Sequence, residues 1–304
     1  MGERVLVSVV MITYGHEKYI RQAIEGVLMQ QGDFDLELVI ANDCSPDNTD
    51  AVVQDVLSHH SNAHWIRYVR HEKNIGMMPN FIFALQQAKG NYIALCEGDD
   101  YWTDPYKLQK QVVFLEANPD FVIHSGVART MLEDNLTKNY IGLDDASRTF
   151  FIEDFYKQNN LVTCTVMFKN VLRTLPDDFT KITFGDWCLY VLLMKESNLK
   201  AYRSTEIFSV YRIHPSGVMS SLSLRKNNQL HIEQITKIKK LVGYHSFSIS
   251  TINAINRYSF DKFKIEFEEN HFISAIITFV YNIYLCKNKV SVKNYLRVLK
   301  NRIL

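Results

Sequence analysis

Over roughly the first 125 residues, short apolar runs alternate with stretches whose apolar positions recur every three to four residues. That alternation predicts βαβ units around a mainly parallel sheet flanked by helices. Residues 5–13 are almost continuously Val, Leu, Ile and Met, as expected for a strand buried on both faces. Residues 17–31 place Ile20, Ala23, Ile24, Val27 and Leu28 on a helical period, and Gly32-Asp33 ends the predicted helix. Further strands are expected at residues 36–41, 64–69, 91–96 and 121–125. Helices are expected at 49–58, at 79–89, and from an Asp104-Pro105 cap to about 117. Between 127 and 215 the rhythm breaks into short polar pieces, apart from an apolar helix at 187–194. Beyond about Arg225 only helical patterns remain, with Gly243 as the one glycine and no proline. The pattern divides the chain into an α/β domain over 1–224 and a helical extension over 225–304.

In an open parallel α/β sheet, ligands bind outside the carboxyl ends of the strands, where the strand order reverses. The predicted strands put Thr13-Tyr14, Asn42-Asp43 and Glu97-Gly98-Asp99-Asp100 at those ends. Right-handed crossovers allow the first and fourth strands to be neighbours, so an aromatic ring and several carboxylates would share one rim. Carboxylates this close repel one another unless a cation neutralises them, and Mg²⁺ or Mn²⁺ suits oxygen donors. Such a cation, with open positions, would clamp a diphosphate and make it a leaving group. Read by itself, the acidic run also suits a turn before a helix, and Asn42-Asp43 suits an Asx turn before Ser45-Pro46.

Composition narrows the field further. There are 34 basic and 33 acidic side chains, a formal net charge of +1, and 47% hydrophobic residues. This is ordinary globular composition, with no generic surface for nucleic acid or another polyanion. Cys44, Cys96, Cys164, Cys188 and Cys286 are scattered and form no CxxC pair, which argues against a disulfide framework or a zinc knuckle and for a cytoplasmic location. The N-terminal apolar run reads as a strand, not a signal peptide, and Leu6 stands where a myristoylation signal needs Ser or Thr.

Three stretches carry a resemblance: Val7-Ser8-Val9-Val10-Met11-Ile12-Thr13-Tyr14, Leu38-Val39-Ile40-Ala41-Asn42-Asp43-Cys44-Ser45-Pro46-Asp47-Asn48-Thr49, and Gly90-Asn91-Tyr92-Ile93-Ala94-Leu95-Cys96-Glu97-Gly98-Asp99-Asp100-Tyr101-Trp102. In order, spacing and strand context they resemble the signature of family 2 glycosyltransferases with the GT-A fold, over about residues 5–220. The resemblance implies an inverting, metal-dependent transfer of a sugar from a nucleotide-diphosphate sugar. The donor would be a UDP-sugar, or alternatively a dTDP-sugar. The acceptor would be a hydroxyl of a saccharide or lipid-linked saccharide, in surface polysaccharide synthesis of bacterial type.

It also implies roles for particular residues. Thr13 and Tyr14 would meet the nucleobase, where stacking is worth roughly 1–3 kcal/mol. Asp43 would accept the ring N–H of uracil or thymine, and Asn42 replaces the first acid of that pair. Glu97, Asp99 and Asp100 match the DxD motif for Mn²⁺ or Mg²⁺, with Glu in its first position; Asp99 would also touch the ribose. In Phe184-Gly185-Asp186-Trp187, Asp186 matches the general base, with a helix cap as its plainer reading, and Trp187 would pack under the acceptor. In Tyr211-Arg212-Ile213-His214, His214 would reach the metal and Arg212 the diphosphate or acceptor. Asn74, Gly76 and Asn80 would line the nucleotide side or the donor sugar.

Two other functions compete. A sugar-1-phosphate nucleotidyltransferase would need a Gly-rich, basic loop after the first strand, where this chain has Thr13-Tyr14-Gly15-His16-Glu17. A non-catalytic nucleotide-sugar binder would tolerate Glu97 and Asn42 but has no need of Asp186. Residues 272–286 form a nearly all-apolar segment, shorter than the ~20 residues that span a bilayer. Lys287, Lys289, Lys293, Arg297, Lys300 and Arg302 follow, with no acid before Leu304. Residues 272–304 are therefore open to two readings: peripheral association with the inner face of a membrane, or a helical extension with a solvated basic face. The oligomeric state is not legible.

Overall fold

The computed structural model describes residues 6–172, 174–218, 220–243, 248–286 and 292–303. Val5, Lys287 and Lys289 lie outside the described residues. The first half alternates as expected: β1 (Leu6–Thr13), α1 (Ile20–Leu28), β2 (Asp35–Asn42), α2 (Thr49–His59), β3 (Ile66–Arg70), α3 (Met77–Gln87) and β4 (Tyr92–Leu95). There follow β5 (Tyr101–Trp102), α4 (Lys107–Ala117), β6 (Phe121–Leu132), β7 (Asn135–Ile141), β8 (Arg148–Phe150), α5 (Ile152–Phe155), β9 (Met167–Lys169), α6 (Gly185–Ser197) and β10 (Lys200–Ile213). The chain continues as α7 (Leu224–Val242), α8 (Ile249–Glu268), α9 (Phe272–Cys286) and α10 (Val292–Ile303).

The strands form one sheet in the order β3-β2-β1-β4-β9-β6-β10-β5, with β7 added to β6 and β8 to β10. The long pairings, β1 with β2 and β4, β2 with β3, and β6 with β10, are parallel. The short β9 runs antiparallel between β4 and β6 and joins the two halves. Strand order reverses at β1, which lies between β2 and β4, so the switch point falls between the ends of β1 and β4. Thr13 pairs with Asn42 and Asn42 with Arg70, which brings the loops after the first three strands to one level.

Side chains alternate to two buried faces, which explains the continuous apolar run of β1. Val7, Val9 and Met11 face α1 and α4, while Val10 joins Ile93 and Leu95 against α3 and α6. Ser8, buried among them, accepts from the backbone N–H of Gly90 at 2.7 Å and of Lys89 at 3.1 Å. A β-carbon on Gly90 would lie 2.6 Å from the Ser8 nitrogen and 2.7 Å from the Leu6 oxygen, both backbone atoms that cannot yield cheaply. Gly90→Ala is therefore expected to destabilise the fold by about 1–3 kcal/mol, read as a lower urea midpoint at unchanged slope. An unchanged midpoint would contradict the close approach.

Differences from the sequence pattern have local causes. Asp104 accepts from the Tyr106 N–H at 2.9 Å, closing a turn, so α4 begins at Lys107 and not at Pro105. The fifth predicted strand runs on to Leu132 because β10, fourteen residues long, pairs alongside it, with bulges that interrupt the register. α6 shows little amphipathic period because every residue from Trp187 to Met194 is buried. Ile232, Ile235 and Ile238 of α7 pack into the same core as α6, so the first C-terminal helix is continuous with the α/β core. Among the described residues, no helix is long and apolar enough to cross a membrane.

Candidate active site

A cavity of about 530 Å³ opens at the carboxyl ends of β1, β2 and β4. Thr13, Tyr14, Asp43, Glu97, Asp99, Asp100, Asp186, Trp187 and Arg212 all border it, as do Asn74, Gly76 and Asn80. His214 stands behind Asp99. The residues singled out in the sequence thus converge, although 200 positions separate Tyr14 and His214 in the chain.

The Tyr14 side chain is exposed at the rim, at 49%. Next to it, Gly15 adopts a left-handed φ of +73°. The following turn is laced to the start of α2: Gly15 N–H donates to Ser45 Oγ at 3.0 Å, His16 N–H to Thr49 Oγ1 at 2.9 Å and Glu17 N–H to Asp47 Oδ2 at 3.0 Å. Asp43 uses both carboxylate oxygens to hold the loop before α3, accepting from Ile75 N–H at 2.7 Å and Gly76 N–H at 2.9 Å. A carboxylate has about four acceptor positions, so each oxygen keeps one for a ligand. Asn42 is wholly buried and builds the turn: its Oδ1 accepts from the Ser45 N–H and Oγ, and its Nδ2 donates to Tyr68 Oη at 2.8 Å. Asn80 ties the same wall together, donating to the Ala41 carbonyl at 2.9 Å and contacting His71.

The acidic run divides into two kinds of carboxylate. Asp100 is buried and accepts from the Arg212 N–H at 2.8 Å, while Glu97 and Asp99 are partly open to the cavity. Burial, then repulsion from Asp99, pushes the Asp100 carboxyl well above its usual range; burial and repulsion from Asp99, Asp100 and Asp186 do the same to Glu97. Burial also opposes ionisation of Asp99, but the His214 hydrogen bond and the nearby His16 hold its carboxyl below the ordinary value. Asp99 Oδ2 lies 3.2 Å from His214 Nε2 and 3.7 Å from His16 Nε2. The Nδ1 atoms of both histidines are buried without a partner.

Among the described residues, no three His, Cys, Asp or Glu side chains are grouped so that they could hold a metal ion by themselves. The donor set nevertheless suits an ion completed by a substrate diphosphate. A partly open carboxylate pair beside an imidazole gives oxygen and nitrogen ligands, and Mg²⁺ typically takes only one or two carboxylates plus phosphates. Glu97 and Asp100 are raised by burial first and by the neighbouring acids second, and a bound cation would relieve the second of these.

Asp186 sits in the first turn of α6, where the helix dipole favours a carboxylate. Its Oδ2 accepts from Asn159 Nδ2 at 2.8 Å and from Thr163 Oγ1 at 2.7 Å. Burial pushes its carboxyl up, against these hydrogen bonds. Gln234 of α7 clasps the segment before it, accepting from the Thr183 and Phe184 N–H groups and donating to the Phe184 carbonyl at 2.9 Å.

Two expected contacts meet a different geometry. Trp187 is 1% exposed, its Nε1 donates to the Phe155 carbonyl at 2.6 Å, and its ring packs on Phe184 and His231, so no indole face is free to underlie an acceptor. The requirement to satisfy a buried indole N–H turns it into the core. The Arg212 guanidinium donates to the Asp99 carbonyl at 2.6 Å and to Gln22, 4.5 Å above the Tyr101 ring, and so braces the acidic run from behind. His16, Asn159, Thr163 and Gln234 were not singled out in the sequence. His16 could have been found from its place after the first strand; Asn159 and Thr163 lie in a stretch without a periodic signal, and Gln234 lies on a helix whose packing the sequence does not show.

A sheet of this order, with its crevice at the switch point, defines an open-sheet α/β protein. Residues 8–175, more than half of the chain, match Glycosyl transferase family 2, and the chain belongs to that family. An uncharacterized protein of Mycobacterium tuberculosis is 32% identical over 215 residues, 70% of this chain and 60% of that protein. The chain therefore spans about 60% of the length of such relatives. The putative teichuronic acid biosynthesis glycosyltransferase TuaG of Bacillus subtilis is 25% identical over 220 residues, 71% of this chain and 82% of that one. Among solved structures, S. aureus TarS 1–349 in complex with UDP is similar with a TM-score of 0.53 at 15% identity, over 92% of this chain and 88% of that one. The mannosyltransferase PcManGT from Pyrobaculum calidifontis in complex with GDP-Man and Mn²⁺ gives 0.55 at 14% identity, over 98% and 87%. These likenesses establish the GT-A type of fold.

Proposed function

We propose that this protein is an inverting glycosyltransferase that moves a sugar from a nucleotide-diphosphate sugar, a UDP-sugar in the first instance, to a saccharide or lipid-linked saccharide hydroxyl. The observation that carries this reading is the position of Asp186, a buried and doubly hydrogen-bonded carboxylate bordering the same cavity as the acidic run. A binding protein has no use for it. The catalytic domain would be residues 1–224, and 225–304 a helical extension whose first helix, α7, packs into the core of that domain and supports the Asp186 segment. Synthesis of a surface polysaccharide is the proposed setting, since a relative's name places it in teichuronic acid biosynthesis.

In this reading Tyr14 stacks on the base and Asp43 accepts its ring N–H. Glu97, Asp99, Asp100 and His214 would hold Mn²⁺ or Mg²⁺, which when bound supplies charge neutralisation for the departing diphosphate. Asp186 takes the proton of the acceptor hydroxyl. The hydroxyl oxygen forms its bond to the anomeric carbon as the bond from that carbon to the phosphate oxygen breaks, and the nucleoside diphosphate leaves on the opposite side. The raised carboxyl suits this task, because a base closer to neutrality accepts a proton more readily.

The test is nucleotide release from UDP-, dTDP- and GDP-sugars with saccharide acceptors, with Mn²⁺ and with a chelator. Release from one donor class, abolished by the chelator, is expected. A pyrophosphate-forming reaction with a sugar phosphate and a nucleoside triphosphate, or binding without turnover of any donor, would overturn the proposal. Tyr14→Ala is expected to weaken UDP binding about tenfold or more by calorimetry, as base stacking on an aromatic is worth roughly 1–3 kcal/mol. Unchanged affinity would remove the base from this rim.

A further inference from the structure

We infer that α9 and α10 together form a docking surface for an anionic lipid bilayer, which holds the protein at the membrane interface without crossing it. α9 is packed the reverse of an ordinary surface helix. Its buried side is small or polar, made of Ala275, Thr278, Asn282 and Cys286. Thr278 closes a buried network with Lys262 and Glu266 of α8, its hydroxyl donating to Glu266 Oε2 at 2.7 Å. Asn282 donates to Asn256 Oδ1 and to Tyr295 Oη, each at 2.9 Å. These bonds fix the rotation of the helix and leave its apolar side outward.

That side carries Ile273, Ile276, Ile277, Val280 and Tyr284 at spacings of one to four residues, a single stripe along the helix. Ile273 is 78% and Tyr284 76% exposed. An apolar stripe of this length on a soluble surface marks an interaction face. α10 lies beside it, because Tyr295 packs on Phe279 of α9 at 4.7 Å between ring centroids. α10 adds exposed Val292 and Leu296 together with the exposed cations Arg297 and Lys300.

Charge selects the occupant. From Asn270 to the last residue the sequence holds basic side chains and no acid. The acids at the end of α8, just before α9, are matched by bases, Glu269 by Arg225 and His271, and Glu268 by Lys264. A second copy of the same face would bring like charges together, whereas anionic headgroups complement them while the stripe enters the acyl boundary. At 15 residues α9 is too short to span a bilayer, which leaves the interfacial position.

The test is flotation of the full chain with vesicles of phosphatidylglycerol and phosphatidylcholine in equal parts, against vesicles of phosphatidylcholine alone. The readout does not depend on glycosyl transfer, so it stands or falls apart from the proposed activity. The native chain is expected to float with the anionic vesicles. The triple variant Ile273→Gln, Ile277→Gln, Val280→Gln should partition about tenfold less or lower, with an unchanged circular dichroism spectrum, since these side chains are more than half exposed. Arg297→Glu with Lys300→Glu should abolish the preference for anionic vesicles. A native chain that stays with the soluble fraction, or a triple variant that floats as well as the native chain, overturns the inference. So does a dimer, seen by light scattering, that the triple variant dissociates while the native chain ignores vesicles.

Discussion

Asp186→Asn is expected to lower the turnover number for sugar transfer about a thousandfold while leaving UDP affinity within a factor of two, as the loss of a general base typically costs 10²–10⁴. Asparagine has the same shape, and its amide oxygen can accept from Asn159 Nδ2 and Thr163 Oγ1 as the carboxylate does. The amide cannot take a proton, so only the chemical step suffers. Binding should persist because Tyr14 and Asp43 lie on other loops. Retention of full transfer would show that some other group receives the acceptor's proton.

The same substitution has a second, opposite effect on stability. Burial raises the Asp186 carboxyl, so between its ordinary range and the raised value the native state holds a proton that the unfolded state has lost. Stability therefore falls as pH rises through that window. The Asn variant, in chelator, should melt at or above the native temperature at neutral pH and show a flatter dependence on pH. Loss of activity with gain of stability is the pattern expected of a site group held ionised at a cost, and misfolding would not produce it.

Asp99→Asn should reduce kcat/KM by about 10²–10³, because charge neutralisation by a bound cation is worth several kcal/mol and about 1.4 kcal/mol is tenfold. Asp99 is the acid whose carboxyl stays below the usual range, between two histidines with unpartnered Nδ1 atoms, and so is the anion best placed to hold a cation. Here the binding readout separates the roles. In Mn²⁺ the variant should bind UDP much more weakly than the native chain, and in chelator the two should converge. Equal response to Mn²⁺ by both proteins would assign the metal elsewhere, with Glu97 the next carboxylate open to the cavity.

Much of the site was legible because it sits where the fold makes sequence local. Thr13-Tyr14, Asn42-Asp43 and the run from Glu97 to Asp100 end predicted strands, and the 3-2-1-4 order of the first strands brings those ends to one crevice. The second half was not legible for a physical reason. β6, β9 and β10 pair across tens of residues, and the antiparallel β9 has only three residues, too few to show a period. Asn159 and Thr163 are ordinary polar residues in that stretch, and only their approach to Asp186 distinguishes them. Trp187 shows the converse: an indole beside a candidate base suggests a sugar platform, but the Phe155 carbonyl that takes its N–H can be known only from packing.

The sequence by itself determined the family, the parallel α/β architecture of the first half, and the residues at the rim, because strand-end positions and hydrophobic period are local properties of the chain. Tertiary structure decided which acids are open to the cavity and which are buried, that Arg212 braces the acidic run, and which side of α9 faces outward. These depend on side-chain rotation and burial, which are set by distant partners such as the Lys262–Glu266–Thr278 network, and no window of the sequence contains them.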